Sequence, residues 1–424
     1  MNQRAANNGK FGMFYGWVVV TAAFVVMFVG FGCAYSFTTF FPELQREFSA
    51  SRATISMVFS LAAFLYFGLG ALSGALADRV GPRWVSVGGM VALGAGLAVA
   101  STAQSFSMVY AGLALGIGVG VGFSYVPSIG AVQPWFSANR GLASGIAVSG
   151  IGLGTLLGPV YAAYFIPIVG WRETLWTMGI VAMGVGIAAS LFLDNDPAAH
   201  AVRKRRVNDD EGLGQGNGGS VAAAWGLGVS QALRTRPFWL LYFGAIFLSF
   251  GIFIPFVHIV PYALDQGFTA ADGAYVLGVI GIGSTVGRFA IGGLADRMGR
   301  HNALLGAYVG ITAMQFLWLG SDALWMLYVF ALIFGSCYGA FVALAPAVCA
   351  DYFGTRAAGG VIGALYTSVG IGTLIGPSFA GWVYDQVGGY AGAIVFGEAM
   401  AAIGVGLTLL LPPPAKWRAG IGAV

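Results

Sequence analysis

Gly74-Ala75-Leu76-Ala77-Asp78-Arg79-Val80-Gly81 returns 218 residues later as Gly292-Gly293-Leu294-Ala295-Asp296-Arg297-Met298-Gly299. A second pair, Gly154-Thr155-Leu156-Leu157-Gly158-Pro159 and Gly372-Thr373-Leu374-Ile375-Gly376-Pro377, shares that offset. Two motifs repeating at one offset predict that the chain is two homologous halves joined in tandem. Each octapeptide follows a long apolar run, so the repeat unit is built from apolar segments with short polar turns.

Those segments decide the class. Of 424 residues, 58% are hydrophobic and 8% charged, and the apolar residues fall in runs long enough to cross a bilayer. Twelve spans are predicted, near 14–41, 52–77, 83–103, 106–133, 139–167, 172–193, 237–263, 271–295, 302–320, 323–350, 356–384 and 390–412. Each is expected to be helical, because a chain crossing lipid must satisfy its own backbone hydrogen bonds. The expected fold is an all-α membrane bundle with six helices in 1–193, a polar linker over 194–236 and six helices in 237–424. The linker carries Arg203-Lys204-Arg205-Arg206, Asp209-Asp210-Glu211 and a glycine-rich run, a composition too polar to bury a core of its own.

Charge sets the expected orientation. With both termini in the cytoplasm, 16 of the 20 Lys and Arg residues fall on the inner side; only Arg46, Arg52 and Arg172 lie outside. That asymmetry is the positive-inside pattern, and it accounts for the net charge of +4 without any nucleic-acid partner. The first span reads as a retained helix in the cytoplasmic membrane, since Phe40-Phe41-Pro42 follows it rather than a small-residue cleavage site. Cys33, Cys337 and Cys349 fall inside spans without metal-ligand spacing and read as small buried thiols. Gly112-Gly116-Gly120 and Gly150-Gly154-Gly158 place glycines on one helical face, which lets neighbouring helices pack closely or slide.

No nucleophile triad, paired catalytic carboxylates, H-E-x-x-H or Walker sequence occurs, and the glycine run from Gly116 to Gly122 lacks a strand-turn-helix context. An enzyme, an ATP-driven pump and a cofactor-dependent protein are therefore not expected. One residue stands out instead. Arg288 lies inside the eighth span with no acidic residue between Asp272 and Asp296. A buried guanidinium costs at least about 2.5–3.5 kcal/mol in a membrane and ordinarily marks a ligand or ion path. Its counterpart in the first half is Gly70, so the scaffold itself has no need of the charge.

The pattern G-x-L-A-D-R-x-G between the second and third spans of each half resembles the signature loop of the major facilitator superfamily. That resemblance implies rocker-type alternating access about a site between the halves near the midplane. It also implies an inner gate, with Asp78 paired to Arg356 and Asp296 to Arg140, beside Arg79 and Arg297; local capping by each aspartate is the alternative. Tyr15-Gly16-Trp17, the segment His258-Ile259-Val260-Pro261-Tyr262-Ala263 and Arg288 together resemble the monocarboxylate transporter family and its bacterial relatives. The resemblance implies proton-coupled symport of lactate- or pyruvate-like anions, with Arg288 on the carboxylate. A guanidinium suits that role, being permanently charged and able to grip a carboxylate at two points.

The departures from that family are specific. Animal members carry a lysine late in the first helix, where this chain has Tyr35, and an aspartate four residues before the arginine, where it has Ser284. The oxalate/formate antiporter, which the chain also resembles, has a second cation in the eleventh helix at the position of Val369. One cation favours a monoanion, because a second desolvated carboxylate would lack a partner. Candidate substrate contacts are Arg288, Ser284, Tyr35, Tyr125, Tyr338 and Tyr366, the tyrosines lying in spans that line the cavity of this fold. His258 and Glu398 are candidates for carrying the proton; for His258 a backbone hydrogen bond is an equal alternative. The expected partners are a small monocarboxylate, a proton and the bilayer, with the protein acting as a monomer. An organic-anion exchanger and a non-transporting anion sensor are the alternatives.

Overall fold

The structure, a computed structural model, describes residues 3–136, 140–195, 226–354 and 358–421, and their side chains except at 3–14, 78, 140–142, 292, 293, 296, 358, 359 and 419–421. Among the described residues, eleven helical stretches are long and apolar enough to span a membrane. They are α1 (Tyr15–Phe48), α2 (Arg52–Ala77), α3 (Pro82–Ser101), α4 (Phe106–Trp135) and a 48-residue stretch, Ala143–Ser190. The second half supplies α7 (Arg236–Asp265), α8 (Ala270–Met298), α9 (Arg300–Leu319), α10 (Leu324–Phe353), α11 (Ala358–Val387) and α12 (Ala391–Leu409). The 48-residue stretch is two spans, because Gly170 breaks it with φ +86° and ψ 162°. An L side chain rarely adopts that conformation, and the chain reverses there with no polar loop. The segments before and after Gly170 are α5 and α6, which gives the twelve expected helices in two six-helix halves.

The repeated octapeptide has a repeated conformation. Gly81 and Gly299 end α2 and α8 with φ of +90° and +88°, each donating its N–H to the carbonyl of a residue four positions back, Ala77 or Ala295. The next helix starts at once, at Pro82 and at Arg300. The final glycine of each motif is therefore required by backbone geometry, since only glycine reaches that region without strain.

Two helix pairs carry most of the contact between the halves, α2 against α11 and α5 against α8. Both seams rely on glycine. A Cβ on Gly381 would strike the backbone of Arg52 and Ala53, and one on Gly281 would strike the backbone of Gly152 and Leu156. The glycine sets noted in the sequence have a different place: Gly112, Gly116 and Gly120 pack on α3, and Gly150, Gly154 and Gly158 pack on α1. They tie helices together inside one half and lie away from the two inter-half seams. Of the three cysteines, Cys33 and Cys349 are buried and Cys337 is half-buried, and all are free thiols. The charged segment 203–211 lies outside the described residues; the last part of the linker includes a short helix, Val229–Ala232, and Leu227 N–H donates to the Phe353 carbonyl over 2.8 Å.

Candidate functional site

Arg288 stands about 27 Å along α8 from its first residue and about 15 Å from its last, at 1.5 Å per residue. It is 5% exposed. Nη1 donates to the carbonyl of Val148 on α5 over 2.7 Å, while Nε and Nη2 are buried without a hydrogen-bond partner. The arginine of one half thus reaches the backbone of the other and keeps two of its three nitrogens uncommitted. Buried polar groups are ordinarily paired, and each unpaired one costs about 1–3 kcal/mol, more when charged.

Around it lie the predicted tyrosines. The hydroxyls of Tyr35, Tyr125, Tyr338 and Tyr366 are near enough to interact electrostatically with the guanidinium. Tyr35 and Tyr338, from α1 and α10, hydrogen-bond to each other over 3.1 Å and so link the halves. Ser284, one turn before Arg288, is 2% exposed and its hydroxyl has no partner. Aromatic residues complete the wall: Phe31 packs edge-on to Tyr125 at 5.3 Å, and Phe256 lies against Tyr35 at 4.7 Å and Tyr338 at 5.1 Å. Phe31, Phe67, Tyr125, Phe253, Tyr338 and Tyr366 are among the residues lining a cavity of about 20 Å³. That volume suits little more than one water, so the space among these side chains is too small for a solute in the described conformation.

Tyr66 belongs to this cluster and sequence reasoning passed it over. It is 1% exposed, and its hydroxyl lies close to that of Tyr35 and interacts electrostatically with Tyr338 and Tyr125. The repeat contained the signal, because Tyr66 is the counterpart of Ser284 at the offset of 218.

The proton candidates lie elsewhere. Glu398 is 6% exposed on α12, which packs on α7, α9 and α11; its Oε1 has no partner. His258 is fully buried in an inter-half cluster at the end opposite the repeated octapeptides. At that end Arg52, the first residue of α2, is held by the second half from several sides. Its Nη1 and Nη2 meet both oxygens of Asp265 at 2.7 and 2.8 Å, Nη1 also reaches the Tyr390 hydroxyl at 2.6 Å, and its Cζ lies 3.7 Å over the Tyr384 ring. Asp385 of α11 accepts from the free N–H groups of Arg52 and Ala53 at 3.0 and 2.9 Å, an N-terminal cap supplied across the halves. This lock was not foreseen. In the sequence Arg52 reads only as a charge on the outer side, and Asp265 and Asp385 are not singled out.

Of the expected gate at the octapeptide end, Arg79 and Arg297 are exposed. The side chains of Asp78, Arg140 and Asp296, and Arg356 entirely, lie outside the described residues.

The sequence matches the profile of the Major Facilitator Superfamily over residues 22–322 and 309–422. It is 28% identical to monocarboxylate transporter 11 of Mus musculus, over 94% of this chain and 88% of that protein. It is 27% identical to monocarboxylate transporter 13 of Rattus norvegicus, over 94% and 89%. Among solved structures, a bacterial homolog of the human lysosomal transporter Spinster, in an inward-facing and unoccupied conformation, aligns with a TM-score of 0.68. It covers 94% of this chain and 97% of that one at 16% identity, a likeness of fold. With two six-helix halves, a repeated signature loop and a polar site between them, the chain is a multi-pass secondary transporter belonging to the Major Facilitator Superfamily.

Proposed function

We propose that the protein is a proton-coupled symporter of small monocarboxylates, working by alternating access as a monomer in the cytoplasmic membrane. Both termini and the two octapeptide loops face the cytoplasm in this reading, on the strength of the Lys and Arg asymmetry. The observation that carries it is Arg288, a buried cation between the halves with Nε and Nη2 free. Those two nitrogens can take a carboxylate at two points while Nη1 keeps its bond to Val148. The surrounding tyrosine hydroxyls donate to the same anion, and the aromatic wall accommodates an apolar tail.

A single cation neutralises one carboxylate. A dicarboxylate entering this site would leave its second charge desolvated beside Val369 and the phenylalanines, a cost of several kcal/mol. Two relatives over nearly the whole chain are named monocarboxylate transporters, which supports the same substrate class.

Purified protein in liposomes is expected to support counterflow of labelled lactate, accelerated by an inwardly directed proton gradient. Exchange without proton movement would replace symport by an anion exchanger, and binding without any counterflow would replace transport by sensing. Tyr338→Phe is expected to raise the half-saturation concentration by about tenfold to a hundredfold with little change in maximal rate, since a hydrogen bond to a charged group contributes about 1.5–3 kcal/mol. An unchanged half-saturation value would remove Tyr338 from the anion's contacts.

A further inference from the structure

The hydrogens around the His258 ring, at the end opposite the octapeptides, can be placed. Ser56 spends its hydroxyl hydrogen on the Arg52 carbonyl at 2.6 Å, so toward His258 its oxygen only accepts. The Pro377 carbonyl also only accepts. His258 Nε2 lies 3.0 Å from the first and 2.9 Å from the second, so Nε2 carries hydrogen. On the other side of the ring, Nδ1 is 2.9 Å from the Tyr390 hydroxyl, whose oxygen already accepts from Arg52 Nη1. A neutral ring with its hydrogen on Nε2 presents the Nδ1 lone pair to Tyr390, and the phenol hydrogen goes there. The chain then runs Arg52 to Tyr390 to His258 to Pro377, every step satisfied with a neutral imidazole.

The geometry points to His258 as a proton-operated latch of this gate: a proton arriving at Nδ1 releases the lock between the halves, and closure expels that proton. A hydrogen on Nδ1 would face the phenol hydrogen of Tyr390, which must turn away and give up its acceptor, leaving the phenol oxygen between two cations. The added positive charge would also be repelled by Arg52 of α2, more than Asp385 of α11 attracts it. Negative charge nearby is committed: Asp265 of α7 holds the guanidinium at two points, and Asp385 of α11 accepts from two backbone N–H groups. The remaining neighbours are neutral. Tyr384 of α11 lies under Arg52, Tyr262 bonds toward Ser321 and Trp318, and α1 presents the ring of Phe41 at 5.6 Å. The carboxylates of Asp265 and Asp385 already have partners of their own, and neither hydrogen-bonds the imidazole.

By linkage, a proton that binds the open gate better than the closed gate favours opening as pH falls, by up to about tenfold in population per pH unit for one group. The inference needs only alternating access and holds for any substrate, so it stands or fails separately from the anion site. Its test uses spin labels on Arg46→Cys and Gln266→Cys, exposed positions at the ends of α1 and α7. They are placed in protein lacking its three native cysteines, reconstituted in nanodiscs without substrate, and their separation is read by double electron–electron resonance. The longer-distance population is expected to rise at least tenfold from pH 8 to pH 5. His258→Gln, which offers a neutral donor and acceptor, is expected to stay closed across that range. Tyr390→Phe, which removes the link between Arg52 and the ring, is a second variant in case the first does not fold, and its pH response is expected to shrink at least severalfold. A pH response that His258→Gln and Tyr390→Phe leave intact, or that vanishes instead in Asp265→Asn or Asp385→Asn, overturns the latch; so does a wild-type gate indifferent to pH.

Discussion

Arg288→Ala is expected to abolish counterflow of labelled monocarboxylate, with transport falling by about thirtyfold to several thousandfold. The range follows from truncating one partner of a buried, hydrogen-bonded charge pair, which costs about 2–5 kcal/mol. Arg288→Lys is expected to recover part of the loss, because lysine restores the charge as a point and not the fork that engages two oxygens. Stability should move the other way. The arginine is buried with Nε and Nη2 unsatisfied, so removing it relieves a desolvation cost and forfeits a single bond to the Val148 carbonyl. The thermal midpoint of Arg288→Ala is therefore expected at or above that of the wild type, the mark of a residue kept for function at the expense of stability. Wild-type counterflow in the alanine variant would defeat the anion site, and a collapse in thermal stability would make the arginine structural.

The octapeptides were enough to read the two-half architecture because their last glycines are demanded by geometry, as φ near +90° at Gly81 and Gly299 shows. Arg288 was legible for a related reason: a charge in an apolar span is conspicuous by its cost. The tyrosines were legible only as a set, through the spans that carry them, and Tyr66 was missed for want of comparing it with Ser284. The lock at Arg52 was not legible at all. Its partners lie 213 and 333 residues away along the chain, and a charge at a helix end has an ordinary explanation in membrane topology. Contacts to backbone atoms leave even less trace. The acceptors of Arg288 and His258 are the carbonyls of Val148 and Pro377, which any residue type would supply.

Gly287→Ala is expected to lower the thermal midpoint by several degrees, although alanine replacing glycine inside a helix ordinarily stabilises it by about 1 kcal/mol. The sign reverses because of the seam between α8 and α10. A Cβ on Gly287 would collide with the backbone of Ser336, one on Gly283 with the backbone of Leu332 and Ser336, and the collisions recur from the other side at Gly335 and Gly339, against Ile280 and Ser284. Four glycines on two facing helices thus bring backbone against backbone, and no side chain is there to swing aside. Overpacking costs about 1–3 kcal/mol where neighbours can adjust, and here the helices themselves must part. Gly287→Val should fail to yield folded protein. Gly306→Ala on α9, where a Cβ meets nothing within 4 Å, is the matched control and should melt at or above the wild type. A Gly287→Ala protein as stable as that control would show that the seam yields freely. The seam has a mechanical consequence because Gly287 sits between Ser284 and Arg288. Both α8 and α10 belong to the second half, so their close contact carries Arg288 and Tyr338 as one rigid body. The contact of α8 with α5, through Gly281 and Gly152, crosses between halves, and in the alternating access proposed above it opens in each cycle. Gly281→Ala is accordingly expected to change the balance between open and closed forms more than the stability of the fold, whereas Gly287→Ala should do the reverse.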